Sequence, residues 1–223
     1  MSLILSGTDG LSDVDGSAAT PAIRGTDANT GIFFGTDIIG FSEGGVEAMR
    51  INASGNLQTI ATIGVGNATP STSGAGITFP VTQSASTNAK TLDDYEEGTW
   101  TATMVPSTSG TITLSNNGGT YTKIGRTVTI NAVLKVSSVS SPVGYFTIQG
   151  LPFSGGAGAT FRCSISIFGD AMETTMTTSI TASMQSGTIL YVFKYNGTGS
   201  QANCAQDVKT NSEFFIGGTY LTD

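Results

Sequence analysis

Turn signatures recur so often in the first 60 residues that no long helix or strand fits between them. Asp or Asn stands near Gly in one segment after another, and the runs between these segments are at most seven residues long. Gly, Asn and Asp readily adopt the backbone conformations of tight turns. The turn clusters are Ser6–Gly10, Val14–Gly16, Arg24–Gly31, Phe34–Gly40, Ser42–Gly45 and Ala53–Asn56. The spacing therefore predicts short β-strands joined by turns.

Strands this short need partners, because an isolated two-stranded hairpin is marginal in water. The chain is 38% hydrophobic and 11% charged, whereas roughly 45–50% and about 25% are typical of soluble domains. A compact monomer of this composition would bury little apolar surface per residue. We therefore expect several intertwined chains, in which each strand packs on neighbouring subunits. A disordered Gly/Ser/Thr polymer is the alternative, but apolar alternation persists along most of the chain.

The distribution of turn residues, small residues and alternating apolar runs predicts three regions in an all-β protein. Residues 1–60 form an intertwined β-modular shaft or attachment region, and residues 61–94 form an extended Gly/Ser/Thr-rich neck with one candidate strand at Gly76–Phe79. Residues 95–223 form a β-sandwich or jelly-roll domain, because short alternating runs recur there at regular spacing. Its candidate strands are Thr99–Val105, Thr111–Ser115, Gly119–Ile124, Thr127–Val136, Gly144–Gln149, Gly158–Phe168, Thr177–Met184, Thr188–Tyr195 and Phe214–Thr222. Only Asp170–Met176 could be a helical turn.

Charge and composition exclude several classes of function. The net charge is −7 with nine basic residues in the whole chain, so a nucleic-acid interface is not expected. The absence of histidine removes the commonest general base and metal ligand, and with it any Ser-His-Asp triad. No phosphate-binding loop is present. We predict no catalytic residues, no metal and no cofactor.

The sequence also predicts the location of the protein. No segment reaches the ~20 apolar residues of a membrane span, and the start resembles no signal peptide. We expect synthesis in the cytoplasm and release within a particle. Two cysteines, Cys163 and Cys204, are too few for a disulfide scaffold. They are interpreted as small buried hydrophobes, with a bridge possible if their strands are adjacent.

The most site-like cluster is acidic and stands where the neck meets the β domain. Asp93, Asp94, Glu96 and Glu97 are four carboxylates in five residues, and Trp100 follows. Such a cluster could ligate Ca²⁺ or supply a glycosidase pair. Neighbours on one segment are badly placed to face each other across a sugar, so a structural junction is favoured. Trp100 at a first strand is interpreted as a core anchor.

Candidate recognition residues lie in predicted loops of the last region. Tyr145 and Phe146 follow a Ser-Pro turn, and Tyr195 with Asn196 precedes a Gly/Ser/Thr loop. Aromatic rings and amide groups suit glycan binding, because they offer apolar faces and paired hydrogen bonds. We predict that these four residues contact a surface glycan.

Several segments resemble bacteriophage tail-fibre and other virion proteins. Thr20–Phe33 and Glu43–Leu57 are similar to shaft modules of phage fibres. Thr91–Trp100, with the sequence TLDDYEEGTW, resembles the segment that opens a β domain in many phage fibres, and Tyr121–Val128 fits the same domain. The resemblance covers about half of the chain in motifs.

The resemblance implies a non-enzymatic virion protein, a trimeric fibre whose last domain contacts the host receptor. A long tail fibre normally begins with a docking domain, whereas this sequence begins with shaft-like modules. Either residues 1–20 dock, or the protein lies elsewhere on the particle. The alternative is therefore a capsid decoration or head-fibre protein bound to the capsid through residues 1–60. A polysaccharide-degrading tailspike is the third possibility.

Overall fold

A computed structural model describes residues 15–82, 86–88, 90–173, 179–195 and 201–222. It confirms that the protein is almost entirely β. The chain divides into two compact units, residues 1–84 and 85–223. The three-region division of the sequence stays a prediction. The described residues contain no helix that is long and apolar enough to cross a membrane.

The first unit contains a five-stranded antiparallel sheet in which the strands follow the order of the chain. Sharp turns with left-handed residues such as Asp37 and Gly45 connect them, as the turn signatures predict. The strands are β1 (Ile23–Arg24), β2 (Gly31–Gly35), β3 (Ile38–Glu43), β4 (Val46–Ile51) and β5 (Leu57–Thr59). A separate parallel pair, β6 (Ile63–Gly64) and β7 (Ile77–Thr78), follows. Phe33 is the one large apolar side chain of this unit that is buried among its described residues.

The second unit is built from eleven antiparallel strands that share one sheet. They are β8 (Tyr95–Thr101), β9 (Thr103–Pro106), β10 (Ser109–Asn116), β11 (Gly118–Ile124), β12 (Thr127–Val143), β13 (Phe146–Gln149), β14 (Cys163–Asp170), β15 (Ile180–Met184), β16 (Ile189–Tyr195), β17 (Gln201–Ala202) and β18 (Glu213–Leu221). The order across the sheet is β8-β11-β12-β18-β14-β15-β16-β13-β9, with β10 beside β12 and β17 beside β16.

The sheet nearly closes on itself like a barrel. Its two ends, β8 and β9, follow each other in the chain and are separated only by Ala102. One half of the sheet contains β8, β10, β11, β12 and β18, and the other contains β9, β13, β15, β16 and β17. β14 joins the two halves, because residues 163–165 pair with β15 and residues 166–170 pair with β18. The inward-facing side chains of both halves form one core around Leu134, Ile148 and Phe214, which are fully buried. A jelly-roll strand order stays a prediction.

Several element boundaries differ from the sequence prediction. The predicted strand Thr99–Val105 divides at Ala102, where the chain passes from one half of the sheet to the other. The strand predicted to begin at Gly158 begins at Cys163, because Ala159–Phe161 forms a 3-10 turn. β12 continues to Val143, beyond its predicted end at Val136, because it pairs with β10 there.

The predicted helical turn at 170–176 is wrong for its described part. Asp170 is the last residue of β14, and residues 171–173 are not helical. Residues 174–176 lie outside the described residues. Ala171 adopts a left-handed conformation with φ of 52°, which ends the strand instead of starting a helix.

Candidate functional site

Two carboxylates of the acidic junction, Glu96 and Glu97, bind tyrosine hydroxyls. Tyr121 on β11 donates a hydrogen bond to Glu96, and Tyr95 donates one to Glu97. The bond to Glu96 raises the pKa of Tyr121 to about 12, and the bond to Glu97 raises the pKa of Tyr95. Because successive side chains of a strand point to opposite faces, the two carboxylates lie on opposite faces of β8.

The other two carboxylates, Asp93 and Asp94, precede β8 and have different partners. Asp93 Oδ2 accepts a hydrogen bond of 2.7 Å from the backbone N–H of Ser86. Asp94 forms an ion pair with Lys123, and the two residues are only 7% and 5% exposed. Burial lowers the pKa of Lys123, and its ammonium lies 5.4 Å from the ring centre of Phe153. This pair ties the start of β8 to β11.

Trp100, the fifth predicted junction residue, lies in the core. It is 5% exposed, and its indole lies against Gly119, which is directly opposite on β11. In the part of the chain that is described, no three His, Cys, Asp or Glu side chains gather where they could hold a metal ion. The junction carboxylates thus contact separate partners instead of converging on one ligand. This geometry supports the structural interpretation, which stays a prediction.

Tyr145 and Phe146, two predicted recognition residues, face opposite sides of the sheet. Phe146 is fully buried, and its ring centre lies 5.5 Å from that of Phe214. A buried ring cannot contact a receptor, so the structure places Phe146 in the core and corrects its assignment to a recognition surface. Tyr145 is half-buried and points outward.

A stripe of aromatic side chains continues from Tyr145 along β16. The ring centre of Tyr145 lies 4.8 Å from that of Phe193 and 6.1 Å from that of Tyr191. Tyr191, Phe193 and Tyr195 are spaced two residues apart on β16, so they share its outer face. We call Tyr145, Tyr191, Phe193 and Tyr195 the aromatic stripe. Tyr195 is 51% exposed, whereas Asn196 lies outside the described residues.

Sequence reasoning selected Tyr145 and Tyr195 but missed Tyr191 and Phe193. The signal was present, because aromatic residues at every second position of a strand must share one face. What the sequence lacked was the pairing of β13 with β16, which brings Tyr145 beside that face.

An open depression of about 430 Å³ borders the aromatic stripe on β14 and β15. Thr181 is paired with Phe193, and Ser183 is paired with Tyr191, so the depression and the stripe form one continuous surface. The polar side chains that line the depression are Arg162, Ser164, Thr181, Ser183 and Gln185. Sequence reasoning predicted none of them.

In the first unit, one face of the five-stranded sheet carries apolar side chains that are partly exposed among the described residues. Cross-strand pairing places two rows of apolar side chains on this face, and Thr59 ends one of the rows. We call them the apolar face: Ile23, Ile32, Phe34, Ile39, Phe41, Met49, Ile51 and Leu57. Leu57 is 63% exposed and Ile51 is 40% exposed. Contiguous exposed apolar surface of this kind usually marks an interaction site.

The two cysteines are free thiols. Cys204 is fully buried, and burial raises its pKa to about 12. Cys163 on β14 is partly buried, and burial raises its pKa as well. Neutral thiols are poor nucleophiles, so both behave as the small hydrophobes that the sequence predicts.

Part of the fold is similar to a tailspike. The crystal structure of the Dettilon tailspike protein (gp208) matches this chain with a TM-score of 0.51 and 25% sequence identity. The match covers 56% of this chain and 23% of that chain, so it spans less than a quarter of the tailspike. No protein-family model matches the chain, and no curated protein does.

Proposed function

We propose that this chain is a structural protein of a phage tail, a homo-oligomeric fibre whose second unit contacts the host surface. The likeness to a tailspike, at 25% identity over 56% of the chain, carries this proposal. It supports a tail-type virion protein. The fibre form, the oligomer and the receptor contact are finer proposals that rest on the surfaces described above.

The apolar face supports the homo-oligomer. A sheet with one apolar face is stable when another layer covers that face. Among the described residues, the strand register places one charged side chain, Glu43 at the end of β3, on the same side of the sheet as the apolar face, whereas the whole chain carries a net charge of −7. Copies of an acidic chain repel each other elsewhere, so a face with little charge is where a second copy can approach. The resemblance to phage fibres implies three copies.

Substitutions on this sheet test the oligomer. We expect light scattering to give a trimer mass for the full chain. Ile39→Thr with Ile51→Thr keeps β-branched residues but removes apolar contact, and should raise the dissociation constant at least about tenfold. Gln58→Thr, on the opposite face of the same sheet, is the control and should change nothing. A monomeric wild-type chain would refute the proposal.

Location on the virion distinguishes a tail fibre from the second candidate, a capsid decoration protein held through residues 1–60. A tail fibre is present in a few trimers per particle, whereas a decoration protein is present in hundreds of copies. Quantitative mass spectrometry of purified virions, with antibody labelling in electron micrographs, measures both quantities. Labelling over the head in high copy number would replace the tail assignment.

The host contact is assigned to the aromatic stripe. Half-exposed rings beside hydroxyl and amide groups suit recognition at a surface. Purified full chain should compete with virions for adsorption, and Tyr145→Ala with Phe193→Ala should compete less well. Phe215→Ala, which removes a 42% exposed ring on β18, is the matched control. Equal competition by all three proteins would remove the stripe from the host contact.

We propose that the chain has no catalytic activity of its own. Without histidine, and with junction carboxylates that contact separate partners, no acid–base pair stands out among the described residues. Incubation with host polysaccharide should release no reducing ends. Their release would make the protein a polysaccharide-degrading tailspike.

A further inference from the structure

We propose that the aromatic stripe and the adjoining depression form a binding site for a saccharide that carries a carboxylate. This inference rests on the proposed host contact and names the chemistry of its ligand. The two surfaces are continuous, because Thr181 and Ser183 of the depression are paired with Phe193 and Tyr191 of the stripe.

The stripe offers a platform for sugar rings. Tyr145 and Phe193, whose ring centres are 4.8 Å apart, present adjoining apolar surfaces tilted by 42°. The C–H face of a pyranose is apolar, while its edge carries hydroxyls, so it can pack on such a platform and still bind polar groups at the side. Tyrosine suits this task because its ring is apolar and its hydroxyl is polar.

The depression supplies the polar groups for the sugar edge. Thr181, Ser183 and Gln185 can each both donate and accept hydrogen bonds. Ser183 Oγ is buried and has no hydrogen-bond partner among the described residues. An unsatisfied buried hydroxyl carries a desolvation cost, which a ligand hydroxyl that reaches it would remove. Ser164 already donates to the carbonyl of Ala182 at 3.4 Å but can still accept.

Charge selects an acidic sugar. Arg162 is exposed at the depression and forms no ion pair with a carboxylate of the described residues. No Asp or Glu is among the described residues that line the depression, although the chain has 16 acidic residues. A guanidinium binds a carboxylate through two parallel hydrogen bonds. Among the described residues, the site therefore combines a cation that has no ion-pair partner with the absence of repelling anions.

A saccharide array distinguishes binding at this site from non-specific attraction of saccharides to the protein. The full chain would be applied to immobilised bacterial oligosaccharides, some with uronic or sialic acids and others neutral. Binding to acidic members is expected, and chemical reduction of their carboxyl groups should abolish most of it. Affinity for a bound member is then measured by calorimetry with three variants.

The variants test the contributions of the depression and of the aromatic stripe separately. Arg162→Gln should weaken binding of the acidic saccharide about tenfold, the loss of one charge-assisted hydrogen bond. Arg126→Gln removes the same exposed charge from the turn between β11 and β12 and should leave the affinity unchanged. Phe193→Ala should weaken the binding of acidic saccharides and the residual binding of their carboxyl-reduced forms by the same factor. Unchanged thermal unfolding shows that each variant is folded.

The outcomes keep this inference distinct from the proposed function. Binding only to neutral saccharides, no binding at all, or equal losses for Arg162→Gln and Arg126→Gln would overturn the acidic-saccharide site. If wild-type chain nevertheless blocks virion adsorption, the host contact stands and its ligand is of another class, such as protein. If it neither binds saccharides nor blocks adsorption, both proposals fail.

Discussion

At the scale of single residues, the ion pair of Asp94 and Lys123 is where stability depends most strongly on the identity of two particular residues. Both residues are almost fully buried, and a buried charge without its partner is strongly destabilising. Asp94→Asn should therefore lower the free energy of unfolding by about 3 kcal/mol, measured by urea denaturation. Glu97→Gln, at an exposed carboxylate of the same junction, should change it by less than about 0.5 kcal/mol.

A double variant separates the pair from the burial of its side chains. Asp94→Leu with Lys123→Met replaces both charges by apolar groups, so no charge stays buried alone. Its unfolding free energy should lie within about 1 kcal/mol of the wild type. If the double variant is as unstable as Asp94→Asn, the cost comes from packing or from hydrogen bonds rather than from the unpaired charge.

Titratable groups whose pKa values are raised by burial or by a hydrogen bond to a carboxylate make the fold sensitive to alkali. The pKa values of Cys204, Tyr121 and Tyr220 are raised to about 12, from ordinary values of 9 for the thiol and 10 for the phenols. The unfolded chain loses these protons at lower pH than the folded chain. Stability is therefore complete below about pH 9 and falls as the pH rises to about 12.

Urea denaturation at pH 8, 9.5 and 11 measures this decline. Cys204→Ala should make the decline shallower between pH 8 and 9.5, where the thiol is the first of the three groups to ionise in the unfolded chain. The comparison uses slopes, so a constant loss of stability in the variant does not affect it. A stability that is constant from pH 8 to 11 would contradict the assignment.

Some features of single residues could be predicted from the sequence. Turn chemistry and the cysteine environment follow from residue type alone. Phe146 was misplaced for a simple reason: adjacent residues of a strand face opposite sides, so Tyr145 and Phe146 cannot both face a receptor. The partners of Asp94 and Glu96 could not be predicted, because they depend on the register of β8 against β11.

At the scale of elements, aromatic rings lie over glycines of neighbouring strands. Trp100 lies over Gly119, Tyr121 over Gly98 and Phe33 over Gly40, and each pair stands directly opposite in a ladder. In each pair the ring occupies the space that a side chain on the glycine would fill. Gly40 and Gly98 resemble turn residues in the sequence, which is why neither was predicted to lie in a strand, whereas Gly119 was predicted to begin one.

Two neighbouring glycines of β11 test this arrangement. Gly119→Ala would place its Cβ against the Trp100 indole and 2.6 Å from the carbonyl oxygen of Asn131. We expect a loss of about 1–3 kcal/mol in unfolding free energy. Gly118→Ala meets no atom within 4 Å and should be neutral or slightly stabilising. Equal effects of the two substitutions would mean that strand propensity, not the ring contact, determines the cost.

At the scale of the whole molecule, the two units differ in how they obtain stability. The second unit has a continuous core that includes Trp100, Leu134 and Phe214. Among the described residues of the first unit, the apolar face is partly exposed. The sequence predicted this contrast from its texture, because short runs between dense turns bury little, whereas long alternating runs such as Val128–Leu134 build a core. It did not predict the nearly closed sheet, since long-range pairings such as β12 with β18 leave no local signal.

If the first unit is stabilised by association, its unfolding must depend on protein concentration, whereas that of the second unit need not. Trp100 is the only tryptophan in the sequence and lies in the second unit, so its fluorescence reports on that unit. Far-ultraviolet circular dichroism reports on both. On dilution of the full chain, we expect one dichroism transition to move to lower temperature while the fluorescence transition stays in place. A fluorescence transition that moves by the same amount would locate the subunit contact in the second unit instead.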